Sequence, residues 1–125
     1  CCYQARLGGL FAIEHPQSSA AWDLPIVTRL ASLPGVCASV LHMCQFNLRA
    51  ADEYGDGYAM KPTRVVTNSG AIGEGICRRC CGGHRHVALI NGRAQKAGEY
   101  TAEFWDAILD GLYSTVLILL HKLTV

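Results

Sequence analysis

The chain has 125 residues, 50% of them hydrophobic and 17% charged, which is enough apolar material for one buried core. Its formal net charge is +1, so no chain-wide field draws in a nucleic-acid duplex or an acidic partner, and any such binding must be local. The 7 cysteines are odd in number and are not spread through loops as in a small disulfide scaffold, which points to reduced thiols in an intracellular compartment, nuclear or cytoplasmic.

The opening residues lack the charged-then-apolar pattern of a secretory signal, and the start at Cys1 leads us to expect a fragment of a longer product. Residues 7–13 (LGGLFAI) read as a first strand, stopped by Glu14-His15-Pro16 because Pro16 has no N–H to give a sheet ladder. Glu14 is thereby expected at a strand's carboxyl end. Asp23 reads as the N-cap of a short amphipathic helix carrying Leu24, Val27, Leu30 and Leu33, closed by Pro34-Gly35. Trp22 is expected to anchor the turn into that helix.

Residues 36–43 (VCASVLHM) form the next strand candidate. The stretch 47–61 is polar and Gly-rich, with Asp52, Glu53 and Asp56 beside Gly55 and Gly57, and reads as an exposed hairpin connection or insertion. It lacks the ligand alternation of a calcium loop. A third strand is expected over 63–67, a weak helix over 71–77 because of Gly73 and Gly75, and a short strand over 86–90 before an Asn91-Gly92 turn.

From Thr101 onward, Phe104, Ile108, Leu112, Val116, Leu119 and Leu123 fall on one face of a long helix. Its last part, residues 112–125, contains His121 and Lys122 and falls short of the roughly 20 apolar residues that span a bilayer. A packed helix without membrane contact is expected there.

This order gives an α/β class: a partial Rossmann-like sheet of three to four strands with a long C-terminal helix. We expect one domain over residues 1–125, with a core over 7–112 and a hydrophobic helical extension over 113–125. The strands and helices are too few for a doubly wound sheet covered on both faces, so an upstream part is expected to be missing.

The densest chemistry is Cys77-Arg-Arg-Cys80-Cys81-Gly-Gly-His84-Arg-His86, where thiols and imidazoles surround a flexible Gly-Gly turn. Such spacing lets one loop supply several soft ligands to a tetrahedral zinc ion. Cys80, His84 and His86 are the expected ligands, with Cys44 from another strand end as the fourth and Cys77 and Cys81 as substitutes. The second ligand pair of a standard finger is absent. The competing readings are a solvated basic loop with incidental cysteines, or redox-active thiols.

Arg78, Arg79 and Arg85, with Arg93, make the same loop the best local site for a phosphate backbone, though without interleaved aromatics. Glu14 is a candidate general acid or base-orienting carboxylate, since ligands of open α/β sheets bind beyond the carboxyl ends of strands; a turn-capping carboxylate is the plainer reading. An independent hydrolase or nuclease using Glu14 with His84 and His86 is a third reading. Gly8-Gly9 precedes its strand and no GxGxxG follows one, so no phosphate cradle is expected.

The landmarks Phe11-Ala-Ile-Glu14-His15-Pro16 with Ser18-Ser19-Ala-Ala-Trp22, then Met43-Cys44-Gln45-Phe46, Lys61-Pro62-Thr63-Arg64-Val65-Val66-Thr67-Asn68, and Arg79-Cys80 with His84-Arg85-His86-Val87 carry a family resemblance. In that order they resemble a methyltransferase-like domain of retroelement-like polyproteins from protists and algae, itself similar to the second half of cytosine-5 DNA methyltransferases. The resemblance covers residues 7–112. It implies that Glu14 matches the Glu that engages the target cytosine, with His15 in place of the following Asn. It also makes residues 7–13, 37–43 and 63–67 the fifth, sixth and seventh strands of the family's sheet.

The cofactor-binding turn and the Pro-Cys nucleophile loop belong to the first half of that domain and have no counterpart here. S-adenosylmethionine is therefore expected only if a missing N-terminal half is present, and that half is an expected partner. The family's Tyr-Pro before the last helix stands here as Tyr100-Thr101. The expectation is a fragmentary or degenerate DNA-methyltransferase-like domain, not an enzyme as an isolated chain. The alternative is a zinc-stabilised nucleic-acid-binding or interaction module.

Overall fold

A computed structural model describes residues 1–125, the side chain of Cys2 excepted. The chain begins with a short helix α1 (Cys2–Arg6), followed by strand β1 (Ala12–Pro16), helix α2 (Pro25–Ala31) and strand β2 (Cys37–His42). A hairpin of β3 (Arg49–Asp52) and β4 (Gly55–Tyr58) leads into β5 (Pro62–Thr67). Three helices complete it: α3 (Gly70–Ile76), α4 (Arg93–Lys96) and α5 (Ala102–Thr124).

The class is mixed α/β, with two small antiparallel sheets and a C-terminal helix. The larger sheet has the order β1-β5-β2, and β5 runs antiparallel to both neighbours, so β1 and β2 point the same way and end at the same edge. As the middle strand, β5 is covered on both faces. Val65 and Val66 are adjacent and must face opposite sides of a pleated strand, yet both are buried.

Each face has its own core. Val65 belongs to the larger one with Leu41, Met43, Phe46, Ile76 and Phe104, beneath α3 and α5. Val66 joins Phe11, Trp22 and Leu30 on the other side, beneath α2. Trp22 is buried and its Nε1 donates to the Pro16 carbonyl at 2.9 Å, which fixes the turn out of β1.

Two glycines permit the helix layer to sit close. A Cβ at Gly73 would lie 2.8 Å from Cys37 Sγ on β2, and one at Gly111 would lie 2.6 Å from the Ile72 Cα on α3. Helix α3 is thus wedged between sheet and α5, and Gly73, which lowers its intrinsic helix propensity, is what packing there requires.

Several expected boundaries move. The first strand starts at Ala12 and not at residue 7, because Gly8 (φ 77°) turns the chain out of α1 and the Gly9 N–H closes back on the Gln4 carbonyl at 2.8 Å. Glu14 is consequently mid-strand, paired with Val65, and not at the strand's end. Asp23 does not cap α2. Ser19 caps a 3-10 turn over Ala20–Asp23, and Pro25 then occupies the first turn of α2, where its missing N–H costs nothing. Residues 86–90 make only an isolated bridge to Tyr58 in place of a strand, and α4 follows the Asn91-Gly92 turn.

The largest departure is in α5. Phe104, Ala107 and Gly111 are buried and Thr115 reaches Ser69 at 2.6 Å, but every residue from Val116 on is exposed. Val116, Leu119 and Leu123, expected on a packed face, are exposed, as are Leu117, Ile118 and Leu120. By length and composition alone α5 would suffice to cross a membrane, although its first half is committed to the core.

Candidate metal centre

Cys44 lies in a 3-10 turn, Met43–Phe46, that carries the chain off the end of β2. The turn buries Met43, Cys44 and Phe46, and Asn47 reverses it in the left-handed region at φ 62°, which Asn tolerates better than most side chains. Cys44 is therefore fixed at the sheet edge by its neighbours' packing.

Cys80, His84 and His86 arrive from the loop after α3. On one side His42 anchors that loop: its backbone N–H donates to the Arg78 carbonyl at 2.9 Å, and its ring Nδ1 accepts the Cys80 backbone N–H at 2.9 Å. Burial first, then Arg79 and His86, hold the His42 ring below the usual imidazole value, which keeps Nδ1 free to accept. On the other side the loop runs beside β4, with the Val87 N–H donating to the Tyr58 carbonyl at 2.7 Å and the Tyr58 ring tilted against His84 at 4.5 Å.

Ligating atoms of Cys44, Cys80, His84 and His86 all lie within 4.8 Å of one another. Cys80 Sγ is 3.5 Å from both His84 Nε2 and His86 Nε2, and the two Nε2 atoms are 3.0 Å apart. Ideal tetrahedral coordination at zinc bond lengths separates two nitrogens by about 3.3 Å and a nitrogen from a sulfur by about 3.6 Å. Cys80, His84 and His86 fit such an ion with shifts of a few tenths of an ångström, and Cys44 stands within 4.8 Å of all three.

Burial first, and then the neighbouring Cys80, push the Cys44 thiol up, which on its own favours the neutral thiol. A divalent ion at the centre would reverse that preference and favour both thiolates. The Gly82 N–H already donates to Cys80 Sγ at 3.2 Å.

The cluster is what sequence spacing indicated; the exposed Cys77 and Cys81 stand outside it. Glu14 is not part of it. One Glu14 carboxylate oxygen accepts a short hydrogen bond from the Tyr100 hydroxyl, and the other, Oε2, is buried without a partner. Burial first and this carboxylate second push the Tyr100 hydroxyl well above the usual phenol value.

The three arginines part ways. Arg85 forms an ion pair with Asp52 at 2.7 Å and donates to the Gly55 and Asp56 carbonyls, so its guanidinium ties the loop to the hairpin. The Arg78 guanidinium lies 4.7 Å from the Phe46 ring centroid. Arg79 is exposed and makes no hydrogen bond or ion pair among the described residues. Sequence reasoning missed His42, Tyr58 and Tyr100 as supports, since none is close in sequence to the residue it holds. No family model, no curated protein and no solved structure matches this chain.

Proposed function

We propose that this chain is a zinc-stabilised α/β module that presents a basic loop to nucleic acid. The convergence of Cys44, Cys80, His84 and His86 within 4.8 Å carries the reading. Two thiolates and two neutral imidazoles are a soft donor set suited to zinc, and four protein ligands complete its tetrahedron. The ion would then have a structural role, clamping residues 77–86 between the end of β2 and the hairpin β3–β4. Arg78 and Arg79, both exposed and without ion-pair partners, are the residues offered to phosphates, while Arg85, paired with Asp52, ties the loop to the hairpin. Reduced thiols suit an intracellular location, nuclear or cytoplasmic.

A second reading places this module in the back half of a methyltransferase-like, Rossmann-like domain. One observation favours it: the segments that the resemblance numbers fifth, seventh and sixth are neighbours in one sheet, with the seventh in the middle. Within that reading Glu14 would serve the target base, S-adenosylmethionine would require the other half of the domain, and Tyr100 would have to release the carboxylate.

Fluorescence anisotropy of the zinc-loaded chain with labelled single- and double-stranded DNA tests the nucleic-acid role. Binding should weaken with salt, and Arg79→Ala should reduce the slope of log K against log salt by about 1 for each phosphate the arginine neutralises. Undiminished binding by an Arg78→Ala/Arg79→Ala protein would overturn it.

A further inference from the structure

Away from the metal centre, a cavity of about 420 Å³ opens between α1 and α2. Its apolar wall is Ile26, Leu33, Pro34 and Val36, and two arginines, Arg6 and Arg29, also line it. Ile26 and Leu33 remain 58% and 39% exposed, so the wall is open to a visitor. None of the lining residues is acidic.

The remaining polar group is already spoken for. Asn68 accepts the Phe11 N–H at 2.9 Å and donates to the Gly9 carbonyl at 2.9 Å, which also fixes the chain leaving α1. Arg6 and Arg29 have no ion-pair partner among the described residues, where the ion pairs are Arg85–Asp52 and Arg93–Glu53.

Each arginine sits in the last turn of its helix, a position the helix dipole favours and that explains either one alone. It does not explain why two arginines without ion-pair partners line one apolar cavity. The volume is that of a small-molecule site, where an apolar wall supplies contact and a few polar groups fix orientation. Guanidinium groups recognise carboxylates and phosphates through paired N–H donors.

We infer that the α1–α2 cavity binds a small amphipathic organic anion, its apolar body against Ile26, Leu33 and Val36 and its anionic head between Arg6 and Arg29. The inference is independent of the metal centre and of any nucleic-acid role.

Calorimetric titration of the full chain with decanoate, below its micellar concentration, tests it, with decyl phosphate as a second head group and 1-decanol and inorganic phosphate as controls. Decanoate or decyl phosphate should bind one per chain, with about tenfold weaker binding in Arg6→Ala and in Arg29→Ala, as expected for loss of one charged hydrogen-bond pair. The tighter of the two probes assigns the head group. No saturable binding of either probe, equal affinity in both arginine variants, or equally tight binding of 1-decanol or inorganic phosphate would overturn the proposal. Both arginines are exposed, so the variants should fold, and an unchanged circular dichroism spectrum checks this.

Discussion

His84 and His86 aim their Nε2 atoms at each other across 3.0 Å, and Cys80 Sγ stands 3.5 Å from both. Ring nitrogens that meet in this way need either a shared proton or a shared cation. With Cys44 completing the group, a cation satisfies all four donors at once. The loop between α3 and the 86–87 bridge has few buried apolar side chains of its own, so beside the His42 and Arg85 hydrogen bonds the centre would hold it in place.

The packing of α3 on α5 predicts a sharp contrast between two glycines. Gly111→Ala places a methyl 2.6 Å from Ile72 Cα, a backbone atom that cannot swing away. We expect a loss of about 1–3 kcal/mol by overpacking, read by urea denaturation. Gly75→Ala meets only the Ala107 carbonyl at 3.6 Å and should be neutral or stabilising by up to about 1 kcal/mol through helix propensity.

Glu14 and Tyr100 form a second test. Tyr100→Phe removes the donor to a carboxylate whose other oxygen is already unpartnered, and should cost about 1–3 kcal/mol. Glu14→Leu combined with Tyr100→Phe removes both polar groups and should be less destabilised than Tyr100→Phe alone. A double-mutant cycle with additive losses would show that the pair does not interact.

Asp52 sets an acid limit on the hairpin. The Arg85 guanidinium first, with the Tyr54 N–H behind it, holds the Asp52 carboxyl below its ordinary value. Its contribution is therefore fully present above the ordinary carboxylate value and fades as pH falls through the depressed one. The protection factors of residues 49–58, with the intrinsic exchange rate at each pH divided out, should fall in that window. Asp52→Asn should abolish the step, and a step that persists in this variant would contradict the assignment.

The exposed end of α5 predicts that deleting residues 116–125 leaves stability within about 0.5 kcal/mol, because every residue there is exposed. The shortened chain should also self-associate less in sedimentation measurements, since a contiguous apolar surface is gone. A large loss of stability would mean that the segment packs on something in solution.

Much of the fold was legible where periodicity and packing agree. Residues 36–43 and 63–67 read as strands and are strands within a residue or so, because β-branched and apolar side chains there fill both faces of one sheet. The four members of the Cys/His group were legible from donor type and spacing, Cys44 because it stands at a strand end. Glu14's place was not: its strand begins late because Gly8-Gly9 serves a helix terminus, and its partner Tyr100 lies far along the chain. The α5 pattern gave the helix and its first buried turns correctly, but a repeat of apolar residues cannot say where the covering elements stop. The strand expected at 86–90 failed because only a bridge to Tyr58 is available to pair with it.

Metal content decides the central claim most directly. Protein purified without chelators should carry one zinc per chain by elemental analysis, Cys80→Ser and His84→Ala should each carry well under one, and chelation should release residues 77–86 to fast amide exchange while β5 stays protected. A chain that takes up no zinc at neutral pH under reducing conditions, with residues 77–86 protected all the same, would contradict it.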